Sequence, residues 1–183
     1  TDAYDDHQLM YDCKAPVSVE YFSMCNRLVS RNVFDRNVIL PFEGVNMWDD
    51  VGLCTRVRFY TRSTAVINKA FYHYNRQNEQ STTRRPLLER AREQELCISC
   101  IEDFFRKEDS HDKYRLFLSY LRLVAAEDLF YYEPDIWRQK FEGLKDDLWK
   151  LRKRYTTKQL FKFYMLGCGG IIGKLVWKRF WKR

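Results

Sequence analysis

The chain has 183 residues, room for one domain with a small appendage. Hydrophobic residues make up 45% and charged residues 31%, a balance that excludes a disordered chain. No apolar run is long enough to cross a bilayer as a plain helix. No basic stretch followed by an apolar one opens the sequence, so no signal peptide is expected.

The net charge of +7 is unevenly placed. From Arg138 onward there are fourteen Lys or Arg against three acids, about +11, which leaves about −4 for the first 137 residues. The body is neutral to acidic and the end is basic. A basic end seeks nucleic acid or an anionic membrane, and the residues between the charges must decide.

In chain order, the first fourteen residues are acidic and irregular. Residues 18–30 read as a short helix carrying Tyr21, Phe22, Met24, Cys25 and Leu28. Residues 38–42 form a strand-like run broken by Pro41. Glu43-Gly44 is a turn, and a helix is expected over 48–60, with Asp49 and Asp50 near its positive end. Residues 64–74 are rich in β-branched and aromatic side chains and predict a strand. Residues 75–83 are polar and loop-like.

Beyond residue 85 the apolar period becomes 3.6. Leu88, Ala91, Leu96, Cys97, Cys100, Ile101, Phe104 and Phe105 mark one side of a helix over 86–107. Ser110 stands at an N-cap position before a helix carrying Tyr114, Phe117, Leu118, Leu121 and Val124. Pro134 and Asp135 start another, with Ile136, Trp137, Phe141, Leu144, Leu148 and Leu151. About two strands are too few for a free-standing α/β domain. Either the fold is mostly helical or further strands lie upstream of Thr1.

Cysteines stand at positions 13, 25, 54, 97, 100 and 168. Cys97 and Cys100 form a lone Cys-x-x-Cys. A zinc site needs two more ligands at suitable spacing, and none is in view. We read the pair as sharing an apolar helix face.

The end of the chain, 156–183, holds an apolar stretch of about eleven residues, too short to span a bilayer. Lys158 and Lys162 precede it; Lys174, Lys178, Arg179, Lys182 and Arg183 follow, interleaved with Trp177, Phe180 and Trp181. Apolar residues, Trp and Phe anchors and cations together describe an interfacial helix on an anionic membrane. A core helix with a solvated basic end is the alternative. Nucleic-acid binding has only charge and aromatic interleaving behind it, with no binding motif, and no nucleic-acid partner is expected.

The chemistry-bearing segment is Glu43 to Leu53. Adjacent carboxylates after a turn can cap a helix, or one can face a cleft and deprotonate a hydroxyl within hydrogen-bond reach. The wider order is more specific. Cys25-Asn26-Arg27-Leu28 is followed by Phe42-Glu43-Gly44 and Trp48-Asp49-Asp50. Ala65-Val66-Ile67, Phe71-Tyr72-His73-Tyr74-Asn75-Arg76 and Ser81 complete it.

This order resembles the second half of the catalytic domain of family 2 glycosyltransferases, inverting enzymes of the GT-A fold, many of which build bacterial surface polysaccharides. The resemblance covers roughly residues 15–85. It implies an α/β fold class, an incomplete GT-A domain over 1–85 on the acceptor side; the helical periodicity and the basic end add a helical extension over 86–155 and a basic membrane-surface helix over 156–183. It implies that Asp50 is the general base, and that Asp49, where the family usually carries Glu, orients. Asn26 and Trp48 would line the acceptor pocket, although Trp48 equally suits the core. Arg76, Ser81 and His73 would lie near the donor diphosphate. A guanidinium suits that role by binding phosphate oxygens bidentately.

Donor and acceptor would be a nucleotide-diphospho-sugar and a glycan or lipid-linked hydroxyl. A Mg²⁺ or Mn²⁺ would be held by an Asp-x-Asp motif expected upstream of Thr1. Tyr4-Asp5-Asp6 lacks the apolar strand that precedes such a motif and reads as a surface segment. Taken alone the chain is expected to be inactive. The expected location is cytoplasmic, peripheral at the inner face of the plasma membrane.

Overall fold

The computed structural model describes residues 3–4, 22–65, 67, 69, 71–73, 87–132, 134–168 and 175. Two strands, β1 (Ala3–Tyr4) and β2 (Thr64–Ala65), pair antiparallel, with Ala3 opposite Ala65 and Tyr4 opposite Thr64. The helices are α1 (Arg31–Asn37), α2 (Asp49–Tyr60), α3 (Leu87–Lys107), α4 (His111–Tyr132), α5 (Pro134–Lys150) and α6 (Thr157–Cys168). Short 3₁₀ turns stand at Met24–Asn26 and Arg152–Arg154. The described residues are therefore mostly helical. The expected helical extension is present, and the sheet is reduced to two residues per strand.

Each helix packs on the next, from α1 through α6. The period of 3.6 explains the middle of this series. Cys97, Ile98, Ile101 and Phe105 of α3 are buried in one cluster with Tyr114, Phe117, Leu118 and Leu121 of α4. Phe105 stacks on Tyr114 with ring centroids 4.6 Å apart. Leu144 and Leu148 bring α5 onto the same core, and Leu151 just beyond its end joins them.

Two buried or half-buried carboxylates tie this layer together. Asp147, 2% exposed, accepts hydrogen bonds from Ser119 Oγ at 2.7 Å and Arg115 Nη2 at 2.8 Å. Glu102 accepts from Arg106 and Arg122, and its Oε1 lies 3.2 Å from His111 Nε2.

Several expectations are corrected. Within the expected helix over 18–30, Phe22 is helical, but from Ser23 onward the chain holds one 3₁₀ turn and no α-helix. The strand-like run at 38–42 is not a strand. Its first residue ends α1: Val38 has left-handed backbone, φ 50°, and its N–H bonds the Phe34 carbonyl. Ile39 then turns into the core, 5% exposed. α1 itself was not anticipated. The strand over 64–74 is paired only at Thr64–Ala65, and Phe71, Tyr72 and His73 are exposed outside any element. Leu96, assigned to the buried side of α3, is 42% exposed, and Ile98 fills the core instead.

Ser110 does precede α4, but its hydroxyl donates back to the Glu108 carbonyl at 2.9 Å. The side chains of Ile136, Trp137 and Phe141 lie outside the described set, as does the expected tail helix beyond Cys168 save Leu175.

Candidate functional site

The site is built on α2 and the two chain segments that flank it. The Phe42 carbonyl accepts from Val45 N at 3.3 Å, closing a turn in which Gly44 takes φ 74°. That positive φ is the reason for glycine in the Glu43-Gly44 pair. Trp48, also left-handed at φ 70°, then starts α2, with Asp49 and Asp50 in its first turn. Acids there complement the exposed N–H groups and positive end of the helix.

Helix α3 holds this turn in place. The Glu93 carboxylate accepts from Asn46 N at 3.2 Å and Met47 N at 2.5 Å. Cys97 Sγ donates to the Trp48 carbonyl at 3.2 Å. At Gly52 an added Cβ would stand 2.8 Å from the Phe42 ring, so a side chain there would displace it. The Arg56 guanidinium covers that same ring at 3.8 Å, while Arg56 Nε donates to the Gly52 carbonyl at 3.1 Å.

α2 has no single apolar stripe because it is covered on several sides. Val51, Gly52, Cys54, Thr55, Arg56, Val57 and Arg58 are all buried. The two arginines set their guanidinium groups against aromatic rings, and that of Arg58 is itself buried. Arg58 lies 5.5 Å from the Phe22 ring centroid, and Phe22 stacks on Phe117 of the core at 6.1 Å.

Asp50, Cys54 and Arg58 recur every fourth residue and so share one side of α2. That side meets residues 22–27. Cys54 Sγ lies 3.2 Å from the Phe22 carbonyl, to which it donates, and 3.3 Å from Met24 Sδ. Arg27 Nε donates to the Ser23 carbonyl at 3.1 Å.

Asp50 is half-buried in this corner. Burial raises the proton affinity of its carboxyl above the ordinary carboxylate value, and the neighbouring Asp49 charge adds to the rise. The Met24 backbone N–H, which its carboxylate accepts, and the Arg27 guanidinium pull the other way. A carboxylate so placed is a stronger proton acceptor than a solvated one, while a hydrogen-bond donor and a cation steady its charge.

The thiols are different in character. Burial pushes Cys54 up to about 11 and Cys97 up to about 12. Both are neutral thiols at physiological pH, packed as small hydrophobes. Cys97 and Cys100 are free, and Cys97 serves the packing of α2 on α3.

The sequence-assigned residues are only partly brought together. Asp50, Asp49 and the Met24–Asn26 turn meet at the start of α2. Asp49 is exposed. Trp48 is half-buried and packs against the core, which favours the second of its two readings. The Asn26 side chain, Arg76 and Ser81 lie outside the described residues; His73 is exposed.

Sequence reasoning assigned no role to Arg27, Cys54 or Glu93. The four-residue spacing of Asp50, Cys54 and Arg58 was a legible signal for the second. Nothing local marks Glu93, which acts on a turn 46 residues away.

Among the described residues no group of three or more His, Cys, Asp or Glu side chains could hold a metal ion. Among the same residues no helix is long and apolar enough to cross a membrane. Compared with family models, curated proteins and solved structures, the chain matches none.

Proposed function

We propose that this chain is the acceptor-side part of an inverting glycosyltransferase of bacterial surface polysaccharide synthesis, in which Asp50 is the general base. The observation that carries the reading is the setting of Asp50. It stands in the first turn of a helix, half-buried, with its proton affinity raised by burial and by Asp49. The acceptor hydroxyl oxygen attacks the anomeric carbon of a nucleotide-diphospho-sugar. The new C–O bond forms as the bond to the diphosphate breaks. The hydroxyl proton passes to the Asp50 carboxylate, the nucleoside diphosphate leaves as an anion, and the configuration inverts. General bases of this kind contribute about 10²–10⁴-fold.

Asp49 orients the acceptor. His73, Arg76 and Ser81 are proposed to face the diphosphate, and Asn26 the acceptor. Mg²⁺ or Mn²⁺, which would stabilise the leaving diphosphate, is assigned to an Asp-x-Asp motif outside this sequence, and no step here runs through it. The tail, 156–183, would hold the enzyme at the cytoplasmic face of the membrane, near lipid-linked acceptors.

The test is turnover in protein carrying both halves of the catalytic domain. Asp50→Asn should lower sugar transfer at least a hundredfold, with an unchanged far-ultraviolet spectrum. Near-normal transfer by the folded variant ends the reading.

A second reading, a non-catalytic helical membrane-associated module, has one observation in its favour. The α3–α5 layer carries much of the buried core and none of the proposed site residues. Binding of a nucleotide sugar by protein that includes the sequence upstream of Thr1 separates the two, since an adaptor has no use for one.

A further inference from the structure

The turn between α5 and α6 carries a surface chemistry that the transferase reading does not use. Trp149 is 61% exposed and Phe161 54% exposed, although their neighbours Leu148, Leu151 and Phe163 are buried in the core. Two large apolar side chains thus point away from a core that has taken the residues beside them. From Lys150 to Lys162, both included, there are six Lys or Arg and no acid. Lys150, Lys153 and Lys158 are exposed.

Arg152 is built into this surface. Its guanidinium lies 4.5 Å from the Trp149 ring centroid, and its Nη1 donates to the Trp149 carbonyl at 2.8 Å. A cation thus lies against one face of the indole.

We propose that Trp149, Phe161, Lys150, Arg152, Lys153 and Lys158 form a docking surface for an anionic lipid bilayer. Indole and phenyl rings partition to the boundary between headgroups and acyl chains. Cations beside them meet headgroup phosphates and carboxylates, each adding to binding while it lies within a Debye length of the surface. Charge complementarity selects the occupant: the segment is wholly cationic, and its apolar groups are large rings suited to insertion. Stacking on a nucleic-acid base is disfavoured because Arg152 already covers one face of Trp149. Trp149, Lys150, Arg152 and Lys153 precede the 156–183 tail, and Lys158 and Phe161 open it, so the surface extends the tail's proposed membrane contact into the end of α5, and it stands independently of the transferase chemistry.

The experiment uses the full chain with vesicles of phosphatidylserine and phosphatidylcholine, and with pure phosphatidylcholine as the neutral reference. The triple variant Trp149→Ala, Lys153→Glu, Phe161→Ala should lose about tenfold in partitioning to the anionic vesicles, with an unchanged far-ultraviolet spectrum. The tail variant Trp177→Ala, Trp181→Ala should still respond to the triple change. A second measurement needs only one mild substitution. Brominated lipid should quench the native chain's Trp emission, and Trp149→Phe should remove part of that quenching. Four outcomes would overturn the proposal: equal partitioning by the folded triple variant, no binding by the native chain, quenching unaffected by Trp149→Phe, or tighter retention on duplex DNA than on vesicles at matched salt with the same variant dependence.

Discussion

The Glu93 carboxylate accepts the backbone N–H of Met47 from 46 residues further along the chain. It also accepts that of Asn46. One side chain of α3 thus holds the turn that delivers Asp49 and Asp50 to the start of α2. Glu93→Ala should lower the unfolding free energy by about 1–3 kcal/mol, the range for leaving partners of a charged acceptor unsatisfied. Urea unfolding measures it. Glu93→Gln, which keeps an acceptor, should recover part of the loss. A Glu93→Ala midpoint equal to that of the native chain would mean that the turn needs no clamp.

Val38 is a β-branched residue held at φ 50°, and its side chain is 74% exposed. Left-handed backbone costs such a residue about 1–2 kcal/mol, and glycine nothing comparable. Little packing is lost with the exposed side chain. Val38→Gly should therefore raise stability by about 1 kcal/mol, after the entropy cost of glycine in the unfolded chain. Thermal melting with a rise of the midpoint is the expected result; a fall would show that Val38 makes packing contacts that outweigh its strain.

Asp50 sets a pH dependence opposite to that of a salt-bridged carboxylate. Its folded-state proton affinity is raised above the unfolded value, chiefly by burial and then by Asp49. Between the ordinary carboxylate value and the raised one, the folded state binds more protons than the unfolded state, so this group's contribution falls as pH rises through that window. Above the window the charge is a standing cost, and below the ordinary value the cost is absent. Asp50→Asn keeps an acceptor for the Met24 N–H and removes the charge. Its midpoint should match or exceed that of the native chain at neutral pH, and the difference should shrink on acidification below the window. A growing difference on acidification would reverse the assigned direction.

The three long helices α3, α4 and α5 were legible because their apolar residues repeat at 3.6 and their ends carry Pro, Ser or Lys signals. Their starts at Leu87, His111 and Pro134 fall within a residue or so of expectation. The start of α2 at Asp49 was legible too, from the Glu43-Gly44 turn and the acid pair. The segment 38–42 was misread for a physical reason. Val-Ile-Leu is what an inner strand contains, and nothing in those side chains says that one of them will cap a helix in left-handed backbone. Leu96 was misread because a wide apolar stripe leaves its edge undecided. Here that edge lies beside the Gly44 turn, where Leu96 Cδ2 comes within 3.6 Å of an added Cβ.

The site divides in the same way. The order of residues pointed to Asp50, and the helix dipole accounts for an acid pair at that end. Burial and the Asp49 charge raise its proton affinity, while Met24 and Arg27, more than twenty positions earlier in the chain, steady its charge and oppose the rise. The turn before it is held by Glu93 and Cys97 from α3. Local periodicity, turn chemistry and charge runs depend on neighbours within a few residues, so they can be read along the chain. Desolvation and long-range hydrogen bonds depend on which distant segments come to rest together, and only the folded packing of residues 22–27, α2 and α3 settles that.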